Sequence, residues 1–110
     1  MKEIKAIIRP SHLHKVRDAF RALPGFPGMT VSQAEGSSAH SGVERHDTIR
    51  GELTDFTRKV RIEILAPDEM VLDIVSIVHE NAHTGQMGDG VLWVSEVQDF
   101  VHLCLPFAGR

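Results

Sequence analysis

Lys59-Val60-Arg61-Ile62-Glu63-Ile64-Leu65 is the clearest strand signal in this chain. Apolar and charged side chains alternate along it, and a period of two residues is typical of a β-strand with one buried face. Pro67 follows closely and suits the first position of a helix, and the acidic residues Asp68 and Glu69 suit the positive end of the helix dipole. This stretch therefore predicts a strand that leads directly into a helix.

The predicted helix ends at a glycine-rich turn. Thr84-Gly85 ends the helix, Gly88-Asp89-Gly90 forms a tight turn, and a further strand runs from Val91 to Ser95. The apolar residues between Val97 and Leu105 predict a short extra strand. The apolar stripe of the helix consists of residues three or four positions apart, namely Val71, Leu72, Val75, Val78 and Ala82.

The first third of the chain shows the same strand–helix–strand order. Alternating apolar residues predict a strand over 2–9, and Ser11 is placed to cap the helix that follows. Pro24-Gly25 ends that helix, and 29–35 is predicted to be the second strand. The apolar stripe of this helix consists of Leu13, Val16, Phe20 and Leu23.

The chain thus repeats β-α-β on either side of a long polar loop at 36–57. This is the order of a ferredoxin-like βαββαβ fold of the α+β class. Right-handed crossovers place both helices on one face of an antiparallel sheet, and the uncovered opposite face predicts association with further copies. Loops beyond about 12–15 residues are uncommon in compact domains, so we expect 36–57 to be a flexible interaction loop.

Composition limits the possible function classes. The 110 residues, 12.2 kDa mass and net charge of −3 predict one domain, 1–110, and argue against a nucleic-acid or anionic-membrane binder. The single cysteine excludes an internal disulfide bond and a multi-cysteine metal cluster. The sequence shows neither a signal-peptide core nor an apolar run of membrane length, so we expect a cytoplasmic protein.

Four short stretches of this chain form one set, Ile4-Lys5-Ala6-Ile7-Ile8-Arg9-Pro10, Pro27-Gly28-Met29-Thr30-Val31, Lys59-Val60-Arg61-Ile62-Glu63 and Thr84-Gly85-Gln86-Met87-Gly88-Asp89-Gly90. Together they resemble the PII signal-transduction proteins, the nitrogen regulators, over nearly the whole chain. The Thr-Gly-x-x-Gly-Asp-Gly segment, followed by a β-rich run that contains Trp93, is specific. The stretch from Pro24 to Val31 looks most like a divergent PII-like subgroup that is associated with heavy-metal efflux pumps.

The resemblance implies a homotrimeric regulator, not an enzyme, that binds an adenine nucleotide in clefts between its subunits. The 36–57 loop would dock on a target enzyme or transporter, such as an efflux pump, and ligand binding would order it. Contact with a membrane would arise only through such a target. By position, the residues that would line the nucleotide cleft are Thr30, Gly36, Ser37, Ser38, Glu63, Leu65, Gly88, Asp89 and Gly90.

The family usually carries a phosphate-binding Lys or Arg at three positions. In this sequence these positions are occupied by Val91, His102 and Cys104. Each charge-assisted hydrogen bond contributes about 1.5–3 kcal/mol, so we expect ATP, ADP or AMP to bind weakly. Lys59 is retained at the 2-oxoglutarate effector position. Glu52 stands where enteric members carry the loop tyrosine that is uridylylated, so switching in this chain would come from ligand binding.

Seven histidines raise a hypothesis from a second class, a metal-binding sensor trimer for Zn²⁺, Cu²⁺ or another divalent metal. His40 and His46 lie among carboxylates in the long loop. The segment from His79 to His83 matches H-E-x-x-H, which on a helix presents two histidines to zinc and a glutamate as general base. A small zinc hydrolase is therefore a third hypothesis, and solvated histidines without a metal are the alternative to both.

Overall fold

The computed structural model describes residues 1–37 and 56–107. A turn of 3-10 helix precedes each α-helix, at Pro10–His12 and Asp68–Met70. The element order follows the predicted strand–helix–strand repeat on both sides of the loop. In chain order, the strands and helices are β1 (Lys2–Ile8), α1 (Leu13–Arg21), β2 (Thr30–Gly36), β3 (Thr57–Ala66), α2 (Val71–Ala82) and β4 (Gly90–Glu96).

The strands form one antiparallel sheet in the order β2-β3-β1-β4. β1 lies in the middle, where Ile4 is opposite Ile64 of β3 and Val94 of β4. β2 forms one edge, with Val31 opposite Ile62. The predicted ferredoxin-like α+β fold is therefore confirmed.

The core lies between the helices and one face of the sheet. Every second side chain of β1 and β3 is buried there, as the alternation in the sequence predicts. Each helix adds residues spaced four apart, which share one helix face. The buried residues are Ile4, Ala6, Ile8, Val16, Phe20, Val60, Ile62, Ile64, Ala66, Ile74, Val78 and Ala82.

The beginnings of both helices differ from the predictions. Ser11 does not cap α1, because the helical turn already begins at Pro10, whose fixed φ and missing N–H suit a first helical position. Pro67, in contrast, stays extended, and its turn begins at Asp68. Within the described residues neither helix could span a membrane, since α1 and α2 have 9 and 12 residues.

The stripe predicted on α2 is wrong at Leu72. This side chain is 75% exposed, whereas Ile74 is fully buried. Apolar residues occur on several sides of α2, so the pattern alone admits more than one inward face. Packing against α1 and β1 selects the face that carries Ile74, Val78 and Ala82.

The extra strand predicted between Val97 and Leu105 is also wrong. The Val97 N–H donates to the Met1 carbonyl at 3.2 Å, and a turn joins His102 to Leu105. A strand needs a neighbour to pair its backbone groups, and an apolar alternation does not supply one. Leu103 is consequently 96% exposed.

The sheet face opposite the helices is uncovered within the described residues. It carries exposed apolar side chains, Leu65, Val91 and Trp93, beside the charged Lys5 and Glu63. Glu63 and Leu65 alternate with the buried residues of β3, and Trp93 is opposite Lys5 in the β1–β4 register, so these side chains share one surface. This is the bare face that the topology predicts.

Candidate functional site

A hydrogen-bonded turn, Thr84–Gly90, follows α2. The Asp89 carboxylate accepts a hydrogen bond from the Thr84 hydroxyl and from the backbone N–H groups of Thr84 and Gly85, the amides at 2.6 and 2.9 Å. These bonds favour the ionised form and hold the pKa of Asp89 well below its ordinary value, and the Arg9 guanidinium adds to the effect. Asp89 therefore organises the turn, as its place between two glycines predicts.

Two cations from the sheet hold this turn on its other side. Arg9 donates from Nη2 to the Met87 carbonyl at 3.0 Å and from Nε to the Gly88 carbonyl at 3.1 Å. Lys59 Nζ donates to the same Gly88 carbonyl at 3.0 Å. Since Lys59 belongs to β3 and Arg9 directly follows β1, the turn is tied to both central strands of the sheet.

The close approach of the turn to β1 requires glycine. Gly88 and Gly90 have positive φ angles of 98° and 118°, which other residues rarely adopt. A Cβ at Gly90 would lie 1.9 Å from the Ile7 carbonyl oxygen. A Cβ at Gly88 would lie 3.0 Å from Arg9 Nη2, the end of a flexible side chain. Gly90 is therefore the position that tolerates no side chain.

A second concave surface lies toward the other end of the sheet. It is a cavity of about 700 Å³ between the loop after α1, the uncovered sheet face and the segment after β4. Thr30, Glu63 and Leu65 contribute to it from the strands. The remaining lining residues are Met1, Glu3, Gly25, Pro27, Gly28, Met29, Pro67, Phe100 and His102.

The nucleotide-binding residues predicted from the sequence fall into two groups. The cavity group consists of Thr30, Glu63 and Leu65. The turn group consists of Gly36, Ser37, Gly88, Asp89 and Gly90. Lys59 joins the two parts of this group, because its Nζ donates to the Gly88 carbonyl and its Cγ would lie 3.7 Å from a Cβ at Gly36. Gly36 lies six positions after Thr30 along β2, a distance of about 20 Å at the rise of a strand. Ser38 lies outside the described residues.

The base of the predicted loop 36–57 is part of the sheet. Gly36 and Thr57 are paired as the last residue of β2 and the first of β3, so the strands take one residue from each end of the predicted loop. Lys59, the predicted effector residue, lies two positions from this base. Glu52 of the loop lies outside the described residues, as do His40 and His46.

His79 and His83 lie together at the end of α2. Their rings are stacked with centroids 4.7 Å apart, and both line a cavity of about 370 Å³ between α2 and β4. His83 Nδ1 is 3.9 Å from the Asp89 carboxylate, whose oxygens already accept the bonds of the turn. In residues 1–37 and 56–107, no three His, Cys, Asp or Glu side chains converge to hold a metal ion. The metal-sensor and zinc-hydrolase hypotheses thus gain no support from this part of the chain.

The sequence predictions did not include Arg9, Glu3 and Phe100 among the site residues. Glu3 is opposite Leu65 in the β1–β3 register, and Arg9 comes directly after β1, so strand pairing was the signal that could have found both. Phe100 had no such signal, because the segment after β4 pairs with no strand of the described sheet. Its ring is 4.8 Å from that of His102, which makes the two residues one wall of the 700 Å³ cavity.

Comparisons with known proteins cover both groups of residues. The family model described as nitrogen regulatory protein P-II matches residues 1–104. Nitrogen regulatory protein P-II 2 of Methanothermobacter thermautotrophicus is 38% identical over 110 residues, which is 100% of this chain and 95% of the relative. The P-II protein of Azospirillum brasilense is 35% identical and P-II 1 of Escherichia coli is 37% identical, each over 94% of this chain and 91% of the relative.

Proposed function

The chain belongs to the nitrogen regulatory protein P-II family, and on this premise we propose that it is a cytoplasmic signal-transduction regulator and not an enzyme. In this proposal three copies associate through the uncovered sheet face and bind an adenine nucleotide, ATP, ADP or AMP, in each cleft between neighbours. The loop at 36–57 then contacts a target protein. The relatives' names refer to nitrogen regulation, and we extend that role to this chain.

The separation of the cavity group from the turn group is the observation that supports this proposal best. Thr30 and Gly36 are about 20 Å apart on the same strand, so one small ligand does not reach both groups of a single chain. A second copy, placed with its turn beside the cavity of the first, would complete the site. Exposed Trp93 and Val91 on the uncovered face favour such an association.

Lys59 offers a route from the bound ligand to the loop. Its Nζ donates to the Gly88 carbonyl of the turn, and it lies two residues from Thr57 at the base of the loop. A ligand that takes this donor would alter a contact at the foot of the loop, which favours one arrangement of the loop over others. In this proposal the target is a transporter or an enzyme. The choice of an efflux pump as the transporter rests on the likeness of Pro24–Val31 to the divergent subgroup.

Subunit complementation tests the composite site. Glu63→Ala removes a cavity-group carboxylate, and Ser37→Trp places a bulky side chain at an exposed turn-group position that has no strained backbone. Each variant alone should lose AMP binding in calorimetry. Trimers refolded from an equal mixture should recover about a quarter of the wild-type sites, because random assembly pairs two intact halves at one interface in four.

Two controls accompany the mixture. Sedimentation should give each variant a mass three times the 12.2 kDa of one chain. Leu72→Ala, on the exposed side of α2, should bind nucleotide like the wild type. A monomeric protein, or trimeric mixtures that recover no sites, would contradict the composite site.

A further inference from the structure

The 700 Å³ cavity carries negative charge of its own. Glu3 and Glu63 both line it. Lys5 lies between them, with its Nζ 3.9 Å from a Glu3 carboxylate oxygen and 3.8 Å from one of Glu63. One ammonium group therefore serves two carboxylates. Phosphate oxygens that enter this cavity are repelled by the charge that remains.

Three cations near the two groups, within residues 1–37 and 56–107, are already engaged. Met1 lines the same cavity, and its ammonium group lies 2.8 Å from Asp68 Oδ1. At the turn, Arg9 and Lys59 donate to backbone carbonyl oxygens. Transfer of these donors to a phosphate would break the bonds that hold the turn on the sheet, so part of the binding free energy would be lost.

The rest of the cavity suits a flat ring with amino groups. Phe100 and His102 form an aromatic wall with centroids 4.8 Å apart, and the half-exposed Leu65 is also in the lining. Nucleobases stack on aromatic side chains of this kind. The Glu63 carboxylate is an acceptor for an exocyclic amino group, and the Thr30 hydroxyl both donates and accepts.

We propose that this cavity selects an adenine nucleoside or nucleoside monophosphate over the triphosphate. The proposal rests on the nucleotide-binding function proposed above and specifies its ligand. The base supplies the stacking and amino-group contacts. This charge distribution accommodates one phosphate group but not a second or a third. Each further phosphate adds repulsion from Glu3 and Glu63 that the imidazole of His102 does not offset as a fixed cation would.

Calorimetry on the full chain tests this preference with adenosine, AMP, ADP and ATP at one ionic strength. We expect AMP to bind at least about tenfold more tightly than ATP, and adenosine to lie within about threefold of AMP. His102→Arg should raise ATP affinity by about 10- to 100-fold, because a charge-assisted bond is added, while adenosine changes by less than about threefold. Leu103→Arg adds the same charge at a neighbouring position that is 96% exposed and outside the cavity, so it should change neither affinity.

Glu3→Gln is a second variant that removes charge without adding a large side chain. It should raise ATP affinity by about three- to tenfold and leave adenosine unchanged. Equal affinity for ATP and AMP, or an equal gain from Leu103→Arg, would overturn the preference and leave nucleotide binding itself intact. Failure of all four ligands to bind at millimolar concentration would overturn both this preference and the nucleotide part of the proposed function.

Discussion

Replacing Gly90 by alanine should separate β1 from β4 at their shared end. Gly90 is the first residue of β4, pairs with Ile8, and has a φ of 118°. An added Cβ would lie 1.9 Å from the Ile7 carbonyl oxygen and 3.0 Å from its carbon. Both atoms belong to the backbone of the central strand, so the overlap is relieved only when the strands move apart.

The expected destabilisation has two parts. Alanine at a positive φ costs about 1–2 kcal/mol. Separation of the strands adds the loss of one or two backbone hydrogen bonds, at about 1 kcal/mol each. Gly85 provides a matched control, because its φ is also positive, at 87°, and a Cβ there meets nothing within 4 Å. Gly85→Ala should therefore show the backbone strain alone, and Gly90→Ala should lose about 2–4 kcal/mol.

Urea unfolding measures both variants, followed by far-ultraviolet circular dichroism at one protein concentration. A fixed concentration is needed because association would make the unfolding midpoint depend on it. Circular dichroism avoids the fluorescence of Trp93, which lies on the perturbed strand. If the free energies of unfolding of the two variants agree within about 0.5 kcal/mol, the clash with β1 is refuted.

Two further predictions concern α2 and the turn that follows it. Ile74→Ala should lower the free energy of unfolding by about 2–5 kcal/mol, since it leaves a cavity in the core. Leu72→Ala, on the exposed side, should change the free energy of unfolding by less than about 0.5 kcal/mol, and equal losses in the two variants would contradict the assigned face of α2. Thr84→Ala removes the hydroxyl donor that contributes most to the low pKa of Asp89, so the carboxyl titration followed by NMR should move up toward its ordinary value, whereas Thr84→Ser should keep it low. Because that pKa is lowered in the folded protein, the stabilisation by Asp89 is present above the ordinary pKa near 4 and is lost as the pH falls through the folded value. An unchanged titration in Thr84→Ala would show that the hydroxyl does not set this pKa.

The strands of the fold were predictable because their signal is local. The alternation in 59–65 and in 2–9 indicates which side chains are buried, and the sheet buries these side chains, among them Ile4 and Ile64. The same reasoning failed for Leu72 and for 97–105, where the apolar pattern admits more than one answer. A helix with apolar residues on several sides does not define its own inward face, and a strand does not form without a neighbour.

The sequence named candidate residues for both groups of the site but did not predict their arrangement. The glycine-rich turn and the residues around Thr30 and Glu63 follow from the family motifs in the sequence. Their division into two groups about 20 Å apart depends on the register of β2, β3 and β1. The ties from Arg9 and Lys59 to the turn, and the aromatic wall at Phe100, join residues that are distant in the chain.

The sequence by itself determined the fold class, the family and the identity of the residues with chemistry to offer, because alternation, turn glycines and motifs are read within a few neighbouring positions. The tertiary structure alone decided that Gly90 must lack a side chain, which face of α2 is buried, and that Glu3 and Glu63 line one cavity and share the ammonium group of Lys5. Each of these facts depends on atoms brought together by strand pairing and packing. Such distances are set by the folded backbone, and no short stretch of sequence contains both partners.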